Sequence, residues 1–251
     1  METVSLEHHG RVALVRLQHG VTNALSPKLI HGLEAVFRRV KEDDAVNGLV
    51  LTGSNEKFFS IGFDIPELFE MNKDDFRGFY RLFNQTCLEL FTLPKPTVAA
   101  ITGHAIAGGC ILALCCDYRY IAKGQKLMGL NEVRLGLPVP YLPDRLLHFL
   151  VGFRRAREIM DSGDFYPADK ALEIGIADKM LPVADVVKAA VEHADTLGSL
   201  PKAGYGMIKQ NRVEVVVEAV KTREDQKETA FIESWFSNEA RERLKEAIKK
   251  F

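Results

Sequence analysis

What this sequence lacks narrows its class before any motif is considered. No apolar run reaches the roughly 18–20 residues that a membrane-spanning helix needs. Positive charge is not in excess: the formal net charge is −1, which gives no electrostatic case for bulk nucleic-acid binding. Residues 1–20 scatter Glu2, Glu7, Arg11 and Arg16 among apolar positions, the pattern of neither a signal peptide nor a transit peptide. The Lys249-Lys250-Phe251 end is not a peroxisomal tripeptide of the SKL kind, so a cytoplasmic location is expected. Cysteine is scarce. Cys87, Cys110, Cys115 and Cys116 form no CxxC pair and read as buried free thiols. His8, His9, His19, His31, His148 and His193 share no ligand spacing, so no metal site is expected. There is no GxSxG elbow, no P-loop and no GxGxxG after a strand.

What remains, 47% hydrophobic and 27% charged over 251 residues, is ordinary globular composition with enough chain for a substantial core. Val4–Leu6 and Val12–Leu17 alternate as a strand pair joined at Gly10. Ser26-Pro27 opens a helix with Leu29, Ile30, Leu33, Val36, Phe37 and Val40 on one face. Gly48–Thr52 is a compact apolar strand, and Phe58-Phe59 leads into a turn at Gly62. The spacing of Phe76, Phe79, Tyr80, Phe83, Cys87 and Leu90 predicts a helix over 74–93, stopped by Leu93-Pro94-Lys95-Pro96. Tyr118–Ala122 reads as a strand, and beyond residue 142 the pattern reads as almost wholly helical, with Pro143, Pro167, Pro182 and Pro201 marking helix starts. The expected plan is an α/β core over 1–195 and a helical region over 196–251.

The richest chemistry lies between Lys95 and Gly136. A β-branched run, Thr97 to Thr102, breaks at Gly103 and again at Gly108-Gly109, after which an apolar helix runs from Cys110 to Cys116. Bare backbone at a helix N-terminus offers unpaired N–H groups and the positive end of the dipole to an oxyanion. Farther on, Glu132 sits among apolar residues, where burial raises the pKa of a carboxyl group toward that of a useful base. In Ser60-Ile61-Gly62-Phe63-Asp64, Gly62 permits a tight turn and Asp64 can cap the helix that follows. Each feature alone has an ordinary structural explanation, and His104 reads more readily as a packing or capping histidine than as a base.

Taken in order, Asn23-Ala24-Leu25, FFSIGFD, AGGC and GLNEVRLG resemble the motifs of the crotonase superfamily, the enoyl-CoA hydratases and isomerases, as does the segment from Phe231-Ile232 to Phe236-Ser237-Asn238-Glu239-Ala240. The resemblance implies a spiral of ββα turns with a helical trimerisation region, assembled as a homotrimer or dimer of trimers. It also implies an acyl-CoA substrate whose coenzyme A replaces any separate cofactor. By motif position, the backbone N–H groups of Phe63 and Gly108 form the oxyanion hole and Glu132 is the acid/base. Ala24, Ser60, Ile61, Gly62, Phe63, Asp64, Ile65, Gly108 and Ile111 line the substrate path, with the pantetheine arm passing Ala24 and the 60–65 turn and the adenine near Ser60 and Ile65.

One departure from the hydratase pattern decides the expected reaction. Hydratases carry a second glutamate three residues after the oxyanion glycine, where this chain has Ile111. An isoleucine cannot position water. One glutamate suffices to carry a proton from C2 to C4 of a 3-enoyl-CoA, and both Met128-Gly129-Leu130-Asn131-Glu132 and the segment Ala107 to Leu114 resemble the Δ3,Δ2-enoyl-CoA isomerase versions of these motifs. The alternatives are another crotonase-type reaction, thioester hydrolysis or decarboxylation, using Tyr141 or Asn131, and an acyl-CoA-binding subunit with little catalysis. Leu146, Leu147, Phe149, Leu150, Phe231, Trp235 and Phe236 are expected to contribute apolar surface to assembly.

Overall fold

The computed structural model describes residues 3–249. It is built on two sheets. The larger takes strands β1 (Val4–His9), β2 (Val12–Leu17), β3 (Gly48–Gly53), β5 (Thr97–Ile101), β7 (Tyr118–Ala122) and β10 (Lys179–Leu181), in that spatial order. Only the β1–β2 hairpin is antiparallel. The smaller contains β4 (Phe58–Ser60), β6 (His104–Ile106), β8 (Leu127–Gly129) and β9 (Phe165–Pro167), with β4, β6 and β8 parallel and β9 antiparallel at the edge.

The helices are α1 (Pro27–Glu42), α2 (Ile65–Phe69), α3 (Lys73–Thr92), α4 (Gly108–Leu114), α5 (Tyr141–Ser162, interrupted at Gly152), α6 (Ala168–Glu173), α7 (Val183–Gly198), α8 (Lys202–Trp235) and α9 (Asn238–Ile248). A single 3₁₀ turn spans Glu132–Leu135. Three times the chain runs through the large sheet, bends into the small one and leaves by a helix or turn: β3–β4–α2, β5–β6–α4 and β7–β8–Glu132. The bends are tight. A Cβ on Gly103 would lie 2.5 Å from the Phe58 nitrogen, so only glycine lets the second bend close on the first.

The central strands β2, β3, β5 and β7 are covered on both faces, which is why β3 and β5 read as unbroken apolar runs. Val12, Leu14, Val50, Val98 and Ala100 face Val186, Ala190 and Ala194 of α7. Ala13, Val15, Leu17, Leu49, Leu51 and Ile101 face the main core, with Leu29, Leu33 and Phe37 of α1. The expected strand pair, the Ser26 cap, the helix ended at Leu93 and the strand Tyr118–Ala122 are all present. Ser26 Oγ accepts from the Leu29 N–H at 3.3 Å, and Ser237 caps α9 in the same way.

Beyond residue 142 the helical expectation needs correction, because β9 and β10 intervene. At three residues each, they are too short for any alternation to register. Helix α7 passes residue 195 and ends at Gly198 while packed on the large sheet, and α8 begins at Lys202. Helix α8 is fixed at both ends. Near its start, the buried Lys209 ammonium meets Asp117 at 2.7 Å, and the same carboxylate accepts from the Thr97 N–H at 2.9 Å. Near its end, Phe231 stacks on Tyr80 and Trp235 on Phe76, with ring centroids 4.2 and 4.3 Å apart.

Candidate active site

The residues singled out for chemistry emerge from the carboxyl ends of three neighbouring parallel strands, β4, β6 and β8. Ile61-Gly62-Phe63 follows β4, Ala107-Gly108 follows β6, and Leu130-Asn131-Glu132 follows β8. A crevice outside the strand ends is where open parallel sheets place their ligands. Here it is a cavity of about 670 Å³ whose wall includes Ile61, Phe63, Ile65, Gly108, Ile111 and Glu132.

Leu25 pairs with the turn after β4 through its N–H to the Gly62 carbonyl at 2.7 Å, and Asp64 donates to the Leu25 carbonyl at 3.2 Å. This pairing engages the residues on either side of Phe63 and leaves its own N–H without a backbone acceptor among the described residues. Gly108 is the first residue of α4, so its N–H is one of those a helix cannot satisfy itself. Ala107 just before it holds φ +48° and ψ −124°, a conformation an alanine rarely adopts. Its N–H is tied to the Gly129 carbonyl at 2.9 Å, and its own carbonyl accepts from the Ile111 N–H at 3.0 Å.

Glu132 opens the 3₁₀ turn and is 6% exposed. Burial pushes its carboxyl up to about 7, with the N–H groups of Glu132 and Asn131 opposing part of the rise. Glu132 Oε2 has no hydrogen-bond partner. A buried carboxylate with an unengaged oxygen and a pKa near neutrality is suited to take up and return a proton. Ile111, 1% exposed, contributes its apolar side chain to the same wall.

The remaining expected substrate residues divide. Ser60 is corrected: it is fully buried, its hydroxyl donating to the Asn23 carbonyl at 2.8 Å and accepting from the Gly62 N–H at 3.1 Å, so it shapes the turn and cannot touch an adenine. Ala24 is 6% exposed, and it and Gly62 lie behind the wall. Asp64 caps α2 through the Glu67 N–H at 3.3 Å. His104 accepts from the Leu127 N–H at 3.0 Å and packs on Phe58, a packing role. Of the two polar candidates for the alternative chemistry, Asn131 lines the cavity with its Oδ1 unpartnered, whereas Tyr141 lies outside it beneath Arg145 and Lys227. All four cysteines are buried, and among the described residues no three His, Cys, Asp or Glu side chains gather as a metal site.

Sequence reasoning missed much of the wall. Phe231 and Trp235, expected on an assembly surface, are 2% and 1% exposed and line the cavity instead. Leu146 and Leu147 are likewise buried in their own chain, leaving Phe149 at 53% and Leu150 at 36% exposed, with Phe153 beside them at 72%. Helix α9 closes one side with Glu242, Arg243, Glu246 and Ala247. It is fastened by Arg241, which lies over the Phe69 ring and donates to the Phe69 carbonyl at 2.9 Å, and by Arg243, which donates to the Arg134 carbonyl at 3.3 Å. The sequence signal for this was the aromatic FIESWF at the end of α8, which matches the aromatic face of α3.

The family described as enoyl-CoA hydratase/isomerase matches residues 7–251. Among curated relatives, the short-chain-enoyl-CoA hydratase of Clostridium acetobutylicum is 34% identical over 211 residues, covering 84% of this chain and 80% of that protein. Mitochondrial enoyl-CoA delta isomerase 1 of Mus musculus is 31% identical over 180 residues, covering 71% of this chain and 62% of that protein, so the match spans about three-fifths of that relative. Among solved structures, human mitochondrial Δ3-Δ2-enoyl-CoA isomerase superposes with a TM-score of 0.95 at 25% identity, over 99% of this chain and 97% of that one.

Proposed function

The chain belongs to the enoyl-CoA hydratase/isomerase family, and we propose that within it this protein is a Δ3,Δ2-enoyl-CoA isomerase. The thioester carbonyl of a 3-enoyl-CoA accepts from the N–H groups of Phe63 and Gly108. Glu132 removes a proton from C2. The electron pair delocalises through the C3–C4 double bond and the thioester as a dienolate, with its charge on the oxygen held by the two N–H groups. Returning the proton at C4 leaves the double bond between C2 and C3. Each preorganised donor is worth about 10²–10³ in rate. Coenzyme A enters as part of the substrate, and the chemistry needs no further cofactor.

The observation that carries the reading is Ile111 on the same wall as Glu132. The other carboxylates there, Glu242 and Glu246, are exposed on α9, and Glu246 pairs with Lys249 at 2.6 Å. A water held between two buried carboxylates therefore has no second holder near Glu132, and the apolar Ile111 keeps water from the dienolate. Assembly as a homotrimer or dimer of trimers in the cytoplasm belongs to the same proposal. The exposed Phe149, Leu150 and Phe153, with Met207, Ile208 and Val215 on α8, are apolar surface available to assembly, and a monomeric mass by light scattering would contradict it. No described helix is long and apolar enough to cross a membrane.

The test of the reaction is a steady-state assay in which 3-enoyl-CoA is converted to the conjugated 2-enoyl product. The expected result is rapid isomerisation with slow hydration of 2-enoyl-CoA. Hydration as fast as isomerisation, release of free coenzyme A as the main product, or no turnover despite tight acyl-CoA binding would each replace the reading.

A further inference from the structure

A second cavity, about 280 Å³, lies where the end of α1, the start of β5 and the α7–α8 junction meet, and it shares no residue with the Glu132 cavity. Lys41, Lys95 and Lys202 line it. Lys95 Nζ donates to the Val40 and Asp43 carbonyls at 2.5 and 2.7 Å, and Lys202 Nζ to the Asp44 carbonyl at 2.6 Å. Carbonyl oxygens solvate an ammonium group without neutralising it, and among the described residues none of the three lysines pairs with a carboxylate. The acidic side chain on the rim, Asp44, is exposed. Repulsion from Lys202 adds to desolvation in disfavouring the Lys95 charge, against a partial offset from Asp43 and Asp44.

Two further features border the same space. The 34-residue helix α8 begins here behind Pro201, with no side chain capping its first-turn N–H groups. Asn47, 4% exposed and on the cavity wall, has an Nδ2 with no hydrogen-bond partner. A buried amide donor left unpaired in a native fold calls for a partner. Cations only partly offset by Asp43 and Asp44, an uncapped helix start and an orphaned buried amide donor together suit a compact acceptor bearing negative charge.

We propose that this cavity is a binding site for a phosphate-type oxyanion, remote from the catalytic cavity. Lysines act on phosphate as point charges, which suits three ammonium groups arriving from different elements. At roughly 30 Å³ for each water-sized group, the space takes a phosphate with a short substituent but not a whole coenzyme A. An anion there bridges the end of α1 to the start of α8, the helix whose other end supplies Phe231 and Trp235 to the catalytic wall.

The full chain is titrated with inorganic phosphate, and separately with glycerol phosphate, at constant ionic strength set by chloride. Heat of binding and thermal midpoint are both followed. The expected result is saturable binding that raises the midpoint by mass action. K202Q and K41Q should each weaken it about tenfold, as expected for a lost charge-assisted contact, while K188Q on the exposed face of α7 leaves it unchanged. Phosphate stabilises proteins generally by exclusion, so the difference between wild type and variant carries the test. Preference for glycerol phosphate would identify a phosphate monoester as the ligand class, and preference for the free ion inorganic phosphate. Absence of binding heat at millimolar phosphate, or an equal response in wild type and a K41Q/K202Q double variant, overturns the site. Neither lysine lies in the catalytic cavity, so isomerase activity without phosphate should not change.

Discussion

Gly62 and Gly108 meet backbone to backbone: a Cβ built on Gly62 would lie 2.9 Å from the Gly108 nitrogen. The turn after β4 and the start of α4 approach this closely because neither residue has a side chain, and Gly62 in addition holds φ +95°. The proximity brings Phe63 and Gly108 to the wall of one cavity.

Gly108→Val should therefore be severe. Its first carbon would meet Leu25 Cδ1 at 2.8 Å and the Gly62 Cα at 3.2 Å, displacing at least one donor. A loss of about 10²–10³ in kcat is expected, the usual effect of removing one oxyanion donor. Phe63→Leu should be much milder, since the proposed donor is backbone and the ring packs away against Phe79 and Phe83. Comparing both variants under saturating 3-enoyl-CoA checks the assignment, and a folded Gly108→Val enzyme of native rate would refute it.

Glu132→Gln preserves shape and removes basicity. A fall of about 10²–10⁴ in kcat is expected, with acyl-CoA affinity largely kept. Calorimetric binding alongside the kinetic assay separates the two effects, and retained turnover would remove Glu132 from the mechanism.

The pKa of Glu132 fixes two pH profiles. As a base it must be ionised, so kcat/KM should rise with pH through about 7 and then level off. Stability should run the other way. Below about 4.5 the carboxyl is protonated whether folded or unfolded and contributes nothing; between about 4.5 and about 7 only the unfolded chain releases the proton, and stability falls. The accumulated cost is roughly 3 kcal/mol, constant at higher pH. Glu132→Gln escapes it, so the inactive variant should melt higher than wild type at pH 8 and nearly level with it at pH 4. Parallel melting temperatures across that range would contradict the raised pKa.

Ile111→Glu should introduce weak hydratase activity. The position lies one turn into α4 on the wall that carries Glu132, so a second carboxylate could hold a water between them. The nearby helix start partly offsets the cost of a charge in an apolar place, and stability should still drop. Loss of 2-enoyl absorbance, measured on both proteins, is the readout; no gain in the variant would show that geometry rather than the missing carboxylate limits hydration.

The legible parts of this fold were those whose signal is local. Val12–Leu17 alternates, Ser26-Pro27 caps, Leu93-Pro94 terminates, and Gly108-Gly109 interrupts, each within a few residues. The short strands β6, β8, β9 and β10 carry no such signal, because three residues acquire strand geometry only from the neighbours they pair with. The site divided along the same line. Phe63, Gly108, Ile111 and Glu132 stand in motifs and line one cavity, whereas the part of the wall built by Phe231, Trp235 and α9 comes from elements far along the chain that only packing brings there. Aromatic residues at helical spacing announce burial without saying against what, so the pattern alone does not distinguish an assembly surface from the cavity wall that Trp235 lines.

Helix α9 and Trp235 close the cavity of the very chain that supplies Glu132. That arrangement has a genetic consequence. If every chain carries its whole wall, two defective alleles, one lacking the base and the other lacking α9, cannot repair one another in a mixed assembly. The dose of activity should follow the fraction of intact chains.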